Sequence, residues 1–501
     1  MENLTEVLQL FLSIDNFIAI ALGVVIGVTV GSIPGLTATM AVALALPFTF
    51  SMQPVAAILL LVGIYKGGMY GGSITAILIR TPGSPASACT LLDGYPMAQQ
   101  GNAKKALKAA LFSSVIADFI SNIALIFFAA YLAKIALNFG APEFFWLICF
   151  SLTIIISLAS GSMVKGLLAA LLGILLSLVG LDSVFGSQRL TFGNYNLMDS
   201  ISFIPLLIGL FAIPEIIEFY RKKVIPHIKA KASGVGMTLA ELKRCMKSIV
   251  RGSLIGVIIG AIPGTGATAA AFISYSDARR RSPNKANFGK GEVEGVAAAE
   301  AGNNGVAGAT LIPLLSLGIP GDVITAIILG AFMVHGLTPG PIMFQENLSL
   351  IYALFLGIMF SSLILLVVGN AAIKYFSLIA DIPKSILFPI VLMFCVYGAY
   401  AVNNMTFDIW LMLAFGVVGY LFNRTGIPAA PFLIGFILGP MFEDNLRRSL
   451  LISNGDMSIF VRGPITWFFI AITFGSIAFA VFRFFKDRNT KLNADKLTNE
   501  T

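Results

Sequence analysis

The chain has 501 residues, 57% of them hydrophobic and only 12% charged, with a mean hydropathy of +0.89. A soluble domain carries about 25% charged residues, so the composition argues against a water-soluble globular fold, and the serial apolar runs described next exclude a single-span receptor. The net charge of +8 is concentrated, with 14 of the 33 Lys and Arg between Arg221 and Lys290 and five between Arg483 and Lys496; both clusters border apolar segments, so they mark a cytoplasmic face and not a nucleic-acid surface.

Apolar runs follow one another at 17–30, 54–64, 110–137, 144–180, 201–219, 252–273, 347–373, 385–401, 409–422 and 465–485. A helix needs about 20 mostly apolar residues to cross a bilayer. Several runs reach that length; the shorter ones cannot cross as simple rods. The pattern predicts an all-α polytopic membrane protein with about 10–12 membrane segments. It divides into an N-terminal membrane repeat at 1–220, a basic cytoplasmic linker at 221–251, a C-terminal membrane repeat at 252–485 and a cytoplasmic tail at 486–501. The first residues lack the basic region of a cleaved signal peptide, so insertion is expected to use the first segment uncleaved. Cys89, Cys149, Cys245 and Cys395 have no paired spacing, and neither a disulfide framework nor a metal site is expected.

The first segment carries the central motif. Residues 23–39 read GVVIGVTVGSIPGLTAT and residues 252–268 read GSLIGVIIGAIPGTGAT; at an offset of 229 they agree at ten of 17 positions. The matches include Gly23, Gly27, Gly31 and Gly35 with Gly252, Gly256, Gly260 and Gly264, and Pro34 with Pro263. A second event follows in each half: Gly71-Gly72 leads to Thr81-Pro82-Gly83-Ser84, and Gly305 and Gly308 lead to Ile319-Pro320-Gly321-Asp322. The flanking charges relate the halves. No Lys or Arg precedes Lys66, whereas nine basic residues in 221–251 and five in 279–290 fence the second copy. Basic flanks on both sides of one 24-residue apolar stretch place both ends in the cytoplasm, which calls for a hairpin folded at Ile262-Pro263-Gly264. The first copy is then the same hairpin entered from outside: two inverted-topology repeats with re-entrant, broken helices.

Proline removes a backbone donor and glycine admits angles other residues avoid. In hydrocarbon the freed groups must be satisfied, so such breaks are tolerated only inside protein or beside a hydrated cavity. The helix leaving each tip turns its amides and positive dipole end toward that cavity, which favours an anion. Substrate-binding candidates are therefore Pro34, Gly35, Thr37 and Thr39 in the first tip and Pro263, Gly264, Thr265, Gly266 and Thr268 in its partner. Pro82, Gly83, Ser84, Pro320 and Gly321 join them at the second breaks. For Gly23, Gly27, Gly252 and Gly256, close helix packing is the favoured role.

Among the remaining polar residues, Asn303 and Asn304 are candidates for a coupling cation, with helix capping as the alternative. Asp322 is a helix cap or a third cation candidate. Asp118, Glu215 and Glu218 lie in or near apolar runs, where helix ends account for the glutamates; His227 and His335 are expected to be structural. The chain lacks G-x-x-x-x-G-K-[ST], H-E-x-x-H and G-x-S-x-G, which argues against ATP hydrolysis or an intramembrane enzyme, and no catalytic residue, metal or cofactor is expected. A carrier working by alternating access fits the paired tips, because a passive channel needs a continuous lined pore instead.

The strings YKGGMYGGSITAILIRTPGSPAS (65–87), LDGYPMAQQG (92–101), IGAIPGTGATAAAFISY (259–275) and FGKGEVEGVAAAEAGNNGVAGATLIPLLSLGIPGDVITAIILGAFMVHGLTPGP (288–341) resemble the large membrane subunit of the tripartite tricarboxylate transporters. The resemblance runs over essentially the whole chain. It implies uptake of a di- or tricarboxylate across the bacterial inner membrane, driven by a Na⁺ or H⁺ gradient. It also implies two partners, a small four-span membrane subunit and a periplasmic solute-binding protein. A stand-alone carboxylate channel or exchanger is the alternative. Three positions depart from the family pattern: Thr37 stands where a second glycine is usual, and Lys66 and Arg80 bring positive charge. Arg80 either clamps a substrate carboxylate with its guanidinium fork or snorkels to the headgroups; Lys66 is expected at the interface.

Overall fold

A computed structural model describes residues 2–158, 162–182, 185–221, 234–380, 384–478 and 481–482. His227, the 222–233 part of the basic stretch and the 486–501 tail lie outside them. The first helices are α1 (Glu2–Phe11), α2 (Ile14–Gly31), α3 (Ala38–Ala45), α4 (Pro54–Ile79), α5 (Ser87–Gln99) and α6 (Ala103–Ala136). Then come α7 (Ala141–Leu158), α8 (Met163–Ser177), α9 (Phe203–Arg221), α10 (Leu239–Gly260), α11 (Gly266–Arg281), α12 (Val293–Ala309) and α13 (Leu311–Leu317). The last are α14 (Val323–Val334), α15 (Met343–Glu346), α16 (Leu348–Ala380), α17 (Lys384–Asn403), α18 (Thr406–Thr425) and α19 (Ala429–Ile452). Among the described residues β-structure is limited to an antiparallel ribbon pairing Gly180–Leu181 with Gln188–Arg189.

The chain is thus an all-α polytopic membrane protein. Six described helices are long and apolar enough to cross a membrane: Ile14–Gly31, Pro54–Ile79, Ala103–Ala136, Leu348–Tyr375, Ile386–Asn403 and Thr406–Thr425. Of the other runs, 144–180 divides between α7 and α8, 201–219 forms α9, 252–273 divides between α10 and α11, and 465–485 holds a shorter apolar helix at Pro464–Ala478. The second half of the 221–251 stretch is helical, because α10 begins at Leu239 behind a Thr238–Glu241 capping box.

Two compact units form, each from two separate stretches of the sequence: residues 1–137 with 202–420, and 138–201 with 421–501. In the smaller unit α8 and α19 pack together, with the carbonyl of Phe432 against Gly173 and that of Ala170 against Gly435. An ion cluster joins Asp182 to Arg189 and Arg447, and Glu443 pairs with the same two arginines at 2.8 and 2.7 Å.

In the larger unit, glycines set the packing. α2 lies along α4, and α10 lies along α12. Gly23, Gly27 and Gly31 of α2 meet the backbone of α4 at Leu60, Ile64 and Gly68, while Gly67 and Gly71 of α4 meet Val24 and Val28 in return. A Cβ at Gly71 would stand 2.6 Å from the Val28 carbonyl oxygen. The second half repeats the contact: a Cβ at Gly256 would stand 2.8 Å from the Gly302 carbonyl oxygen, and one at Gly260 would stand 3.0 Å from that of Val306. Backbones this close gain dispersion that bulkier side chains would forbid. The packing role read for Gly23, Gly27, Gly252 and Gly256 is therefore the one they play here.

α4 is buried along its whole length, including Lys66 at 1% exposure. This corrects the interfacial placement of Lys66. Its Nζ lies 3.0 Å from Asp118 Oδ1 and donates to Asp118 Oδ2, Asn122 Oδ1 and the Ile358 carbonyl, each at 3.0 Å. Ser362 adds a 2.6 Å bond to the same carboxylate. A buried ammonium is tolerable only with such a full set of partners; the set pins α4, α6 and α16 together.

Replacing Gly27 by alanine is expected to cost about 2–3 kcal/mol by overpacking, read as a lower melting temperature in detergent. Gly475→Ala is the control, since a Cβ there meets nothing within 4 Å; it should leave the melt unchanged or raise it.

Candidate functional site

Both first breaks fall at the same point of the repeat. α2 ends at Gly31 and α10 at Gly260, 229 residues on, and the outgoing helices begin at Ala38 and Gly266. Gly35 and Gly264 hold φ of +94° and +82°, the left-handed region that L residues avoid. A Cβ at Gly35 would touch nothing within 4 Å, so angle and not space requires glycine there.

The second breaks match more closely than their letters suggest. α4 ends on Arg80 at φ +55° and α13 ends on Gly318 at φ +72°. Each is followed by one residue, then Pro-Gly, then Ser84 or Asp322. Ser84 and Ser87 exchange reciprocal bonds, backbone N to Oγ, at 3.0 and 3.2 Å. Asp322 and Thr325 do the same at 2.8 and 2.7 Å. At α14 this is a capping box; before α5 the same reciprocal pair closes the turn that leads into the helix, whose N-cap is Ala86.

Within each half the two breaks meet. The Gly264 amide donates to the Gly321 carbonyl at 2.7 Å. In the first half the Gly83 amide donates to the Gly72 carbonyl at 3.2 Å, and a Cβ at Gly83 would stand 2.7 Å from the Gly31 carbonyl oxygen. The halves also exchange partners, with α3 touching α14 and α5 touching α11. Tyr65 of α4 donates to Asp322 Oδ2 at 2.8 Å, and Cys89 of α5 lies 3.5 Å from the Ala271 carbonyl oxygen of α11.

The candidate residues fall into three groups. Some are used locally: Thr37 caps α3 by accepting from the Met40 amide at 3.2 Å, and the Thr265 hydroxyl donates to the carbonyls of Ile259 and Ile262. Pro34, Thr39, Gly266 and Thr268 are half-buried around the tips, and the hydroxyls of Thr39 and Thr268 make no hydrogen bond among the described residues. Pro82 is exposed, whereas Pro263, Pro320 and Gly321 are buried. Arg80 is exposed, with its guanidinium 5.6 Å from the centre of the Tyr95 ring. The cation candidates are not brought together by any bond: Asp322 caps α14, and Asn304 donates to Ser114 Oγ at 2.8 Å and Glu300 Oε2 at 3.2 Å. Asn303, fully buried, has neither amide atom partnered among the described residues. It lies one turn beyond Ala299, which packs with Ala86, Cys89 and Ala271 near the starts of α5 and α11.

Two features escaped the sequence reading. One is Tyr65, which binds Asp322 across the halves. The other is Glu300, fully buried in an Ala/Gly-rich helix; a mid-helix carboxylate in the stretch VAAAEAGNNGVAGA was the available signal.

A family model described as the tripartite tricarboxylate transporter TctA family matches residues 17–434. The chain is 36% identical over 493 residues to a protein of Agrobacterium vitis described as "Uncharacterized 52.8 kDa protein in TAR-I ttuC' 3'region", covering 98% of each chain. A second protein of that organism, described as "Uncharacterized protein in TAR-II ttuC' 3'region", is 40% identical over 210 residues, which is 42% of this chain and 87% of the relative. No solved structure matches the chain.

The left-handed Arg80 supplies a test of its own role. Arg80→Gly removes strain of about 1–2 kcal/mol and should raise the melting temperature. A fall in transport despite that gain assigns the guanidinium to substrate; unchanged transport removes Arg80 from the site.

Proposed function

Because the chain belongs to the tripartite tricarboxylate transporter TctA family, we propose that it is the large membrane subunit of a binding-protein-dependent carrier that takes up a di- or tricarboxylate. Uptake runs across the bacterial inner membrane, is driven by a Na⁺ or H⁺ gradient, and requires a small four-span membrane subunit and a periplasmic solute-binding protein. The observation that carries this reading is the pairing of breaks in each half, Gly264 with Gly321 and Gly83 with Gly31. Four outgoing helices start at these breaks, and those of one half touch those of the other. Helix starts gathered in this way present free amides and positive dipole ends, which suit the carboxylates of the substrate.

In this reading the substrate meets Pro34, Gly35, Thr37 and Thr39, then Pro82, Gly83 and Ser84 in the first half. In the second half it meets Pro263, Gly264, Thr265, Gly266, Thr268, Pro320 and Gly321. Arg80 stands at the edge of this set. Asn303 supplies an unpaired amide beside the helix starts; a buried amide without partners costs roughly 2–7 kcal/mol by transfer measures, and a polar ligand offsets that cost. Asn304 and Asp322 remain with it as candidates for coupling. The two halves are inverted in the membrane, as the flanking charges require.

Proteoliposomes holding both membrane subunits, with the binding protein outside, test the carrier. Labelled di- and tricarboxylates should accumulate above equilibrium only with an imposed ion gradient. Equal flux without a gradient, stopping at equilibrium, would identify a channel. Gly35→Val or Gly264→Val should abolish accumulation with insertion intact, because a β-branched residue at these angles costs about 1–3 kcal/mol and distorts the tip; wild-type uptake in both would refute the tip assignment. Cysteine labelling at Ser51 and Lys285 should place the first outside and the second inside; finding both on one side would exclude the inversion.

A further inference from the structure

Three carboxylates of the larger unit, Asp93, Asp118 and Glu300, are at most 1% exposed, and they are neutralised in different ways; Glu292, Glu294 and Asp408 are buried less completely, at 3–8%. Asp118 faces the ammonium of Lys66 at 3.0 Å. Asp93 of α5 sits in a nest of backbone amides, accepting from Gly289, Gly291 and Glu292 at 2.8–2.9 Å, with the Tyr275 hydroxyl at 2.8 Å. Glu300 has neither arrangement. Its Oε1 accepts from Ser73 Oγ at 2.5 Å and from Thr90 Oγ, and its Oε2 accepts from Ser114 Oγ at 2.9 Å and Asn304 Nδ2 at 3.2 Å. The partners come from α4, α5, α6 and α12 itself, and all are neutral.

A fully buried carboxylate with no cation carries a desolvation cost that four neutral donors do not cancel; in practice such a group is neutralised. A metal ion or a proton can do this, and the space decides between them. A metal ion must stand between its ligands at about 2.0–2.6 Å from each oxygen. Here the hydroxyls already touch the carboxylate, so an ion would have to force four helices apart. A proton needs no room. The acid O–H donates to one of the hydroxyl oxygens, whose own hydrogen turns to a carbonyl one helical turn back. A second observation supports exchange at this place. Tyr70, one turn before Ser73 on α4, has a buried hydroxyl with no partner among the described residues. It offers a further polar group on the face of α4 that carries Ser73.

The other titratable groups around α12 are already committed. On α4 and α6, Lys66 and Asp118 hold each other; on α5 and α11, Asp93 holds Tyr275. Cys89 on α5 is a buried thiol. On α10, Arg244 and Arg251 pair with Glu292 and Asp277 at 2.9 and 3.4 Å, and α13 has no titratable residue. Glu294, on α12 itself, accepts from Ser248 Oγ and Ser282 Oγ at 2.6 Å each, but it is 8% exposed and Arg251 donates to the same Ser248 hydroxyl. Glu300 is the fully buried carboxylate of this shell with neutral partners alone.

We propose that Glu300 is the proton-carrying residue of the transport cycle. It takes a proton from water on the outer side, holds it while Ser73, Thr90, Ser114 and Asn304 close around it, and releases it to water on the inner side when those helices separate. One O–H bond forms and the same bond later breaks, and no other co-reactant is needed. The inference rests on the carrier reading above and narrows its coupling ion to H⁺.

The test uses the complete three-component system in Na⁺-free proteoliposomes containing a pH-sensitive dye. Wild-type protein should move protons inward with labelled carboxylate. Glu300→Gln keeps the shape and the hydroxyl contacts but cannot release a proton. It should lower accumulation under an inward proton gradient by about tenfold or more, and its residual counterflow should no longer vary with pH. Accumulation equal to wild type, or counterflow with the wild-type pH profile, overturns the proposal. If the variant does not fold, infrared difference spectra of wild-type protein decide: a protonated-carboxyl band that appears on closure supports it, and none overturns it. Uptake that follows a Na⁺ gradient at clamped pH without proton movement overturns the proposal and leaves the carrier intact. Absence of any carboxylate transport by the wild type removes the carrier reading itself.

Discussion

Backbone-to-backbone contact between glycine-rich helix faces is the constraint on which the larger unit depends. Lipid offers no hydrophobic drive for one apolar helix to seek another, so close approach and local polar bonds must hold the helices together. α2 against α4 and α10 against α12 achieve this with glycines on both sides, each admitting the partner's carbonyl where a side chain would stand. The consequence reaches the breaks. Once Gly31 and Gly260 are seated against α4 and α12, the next residues emerge beside the second breaks, and Gly83 and Gly321 can reach them.

A helix break in a membrane protein releases donors and acceptors that lipid cannot satisfy. Here the two breaks of each half answer one another. Gly264 gives its amide to Gly321, and Gly83 gives its amide to Gly72 under the end of α2. The Ser84–Ser87 and Asp322–Thr325 pairs occupy further amides at the outgoing helices. The tips are thus locally supported, and the amides left over are those of helix starts. Thr37 and Thr265 show the same economy, because both hydroxyls serve the turn they sit in.

Requirements imposed on the backbone were legible in the sequence. Glycine and proline are demanded residue by residue, so the 229-residue offset foretold that both helices stop at equivalent glycines, Gly31 and Gly260. The second breaks were harder to align because one half uses Arg80 where the other uses Gly318 for the same left-handed cap. Polar partnerships were not legible. Lys66 looked interfacial because Asp118 is 52 residues away, and Ser114, Thr90 and Ser73 are 186, 210 and 227 residues from Glu300. Nothing in local spacing records such pairs; they exist only after α4, α5, α6 and α12 have packed.

That packing makes α4 the element through which the halves communicate. Within three turns it presents Tyr65 to Asp322 at a second-half break, Lys66 to Asp118 and Ser73 to Glu300. Tyr65 and Lys66 are adjacent and therefore point about 100° apart on the helix, so a rotation that favours one bond disturbs the other. The glycine contacts with α2 resist a change of register as well, because each ridge of carbonyls fits one set of gaps. α4 is therefore tied to α2 by register and to α6 and α16 through Lys66. A displacement of that group of helices relative to α12 and α14 would strain the Tyr65–Asp322 bond and open the hydroxyl cage of Glu300 in the same step. One rigid displacement thus links the breaks to the only carboxylate among the three that lacks a fixed counter-charge or a nest of amides.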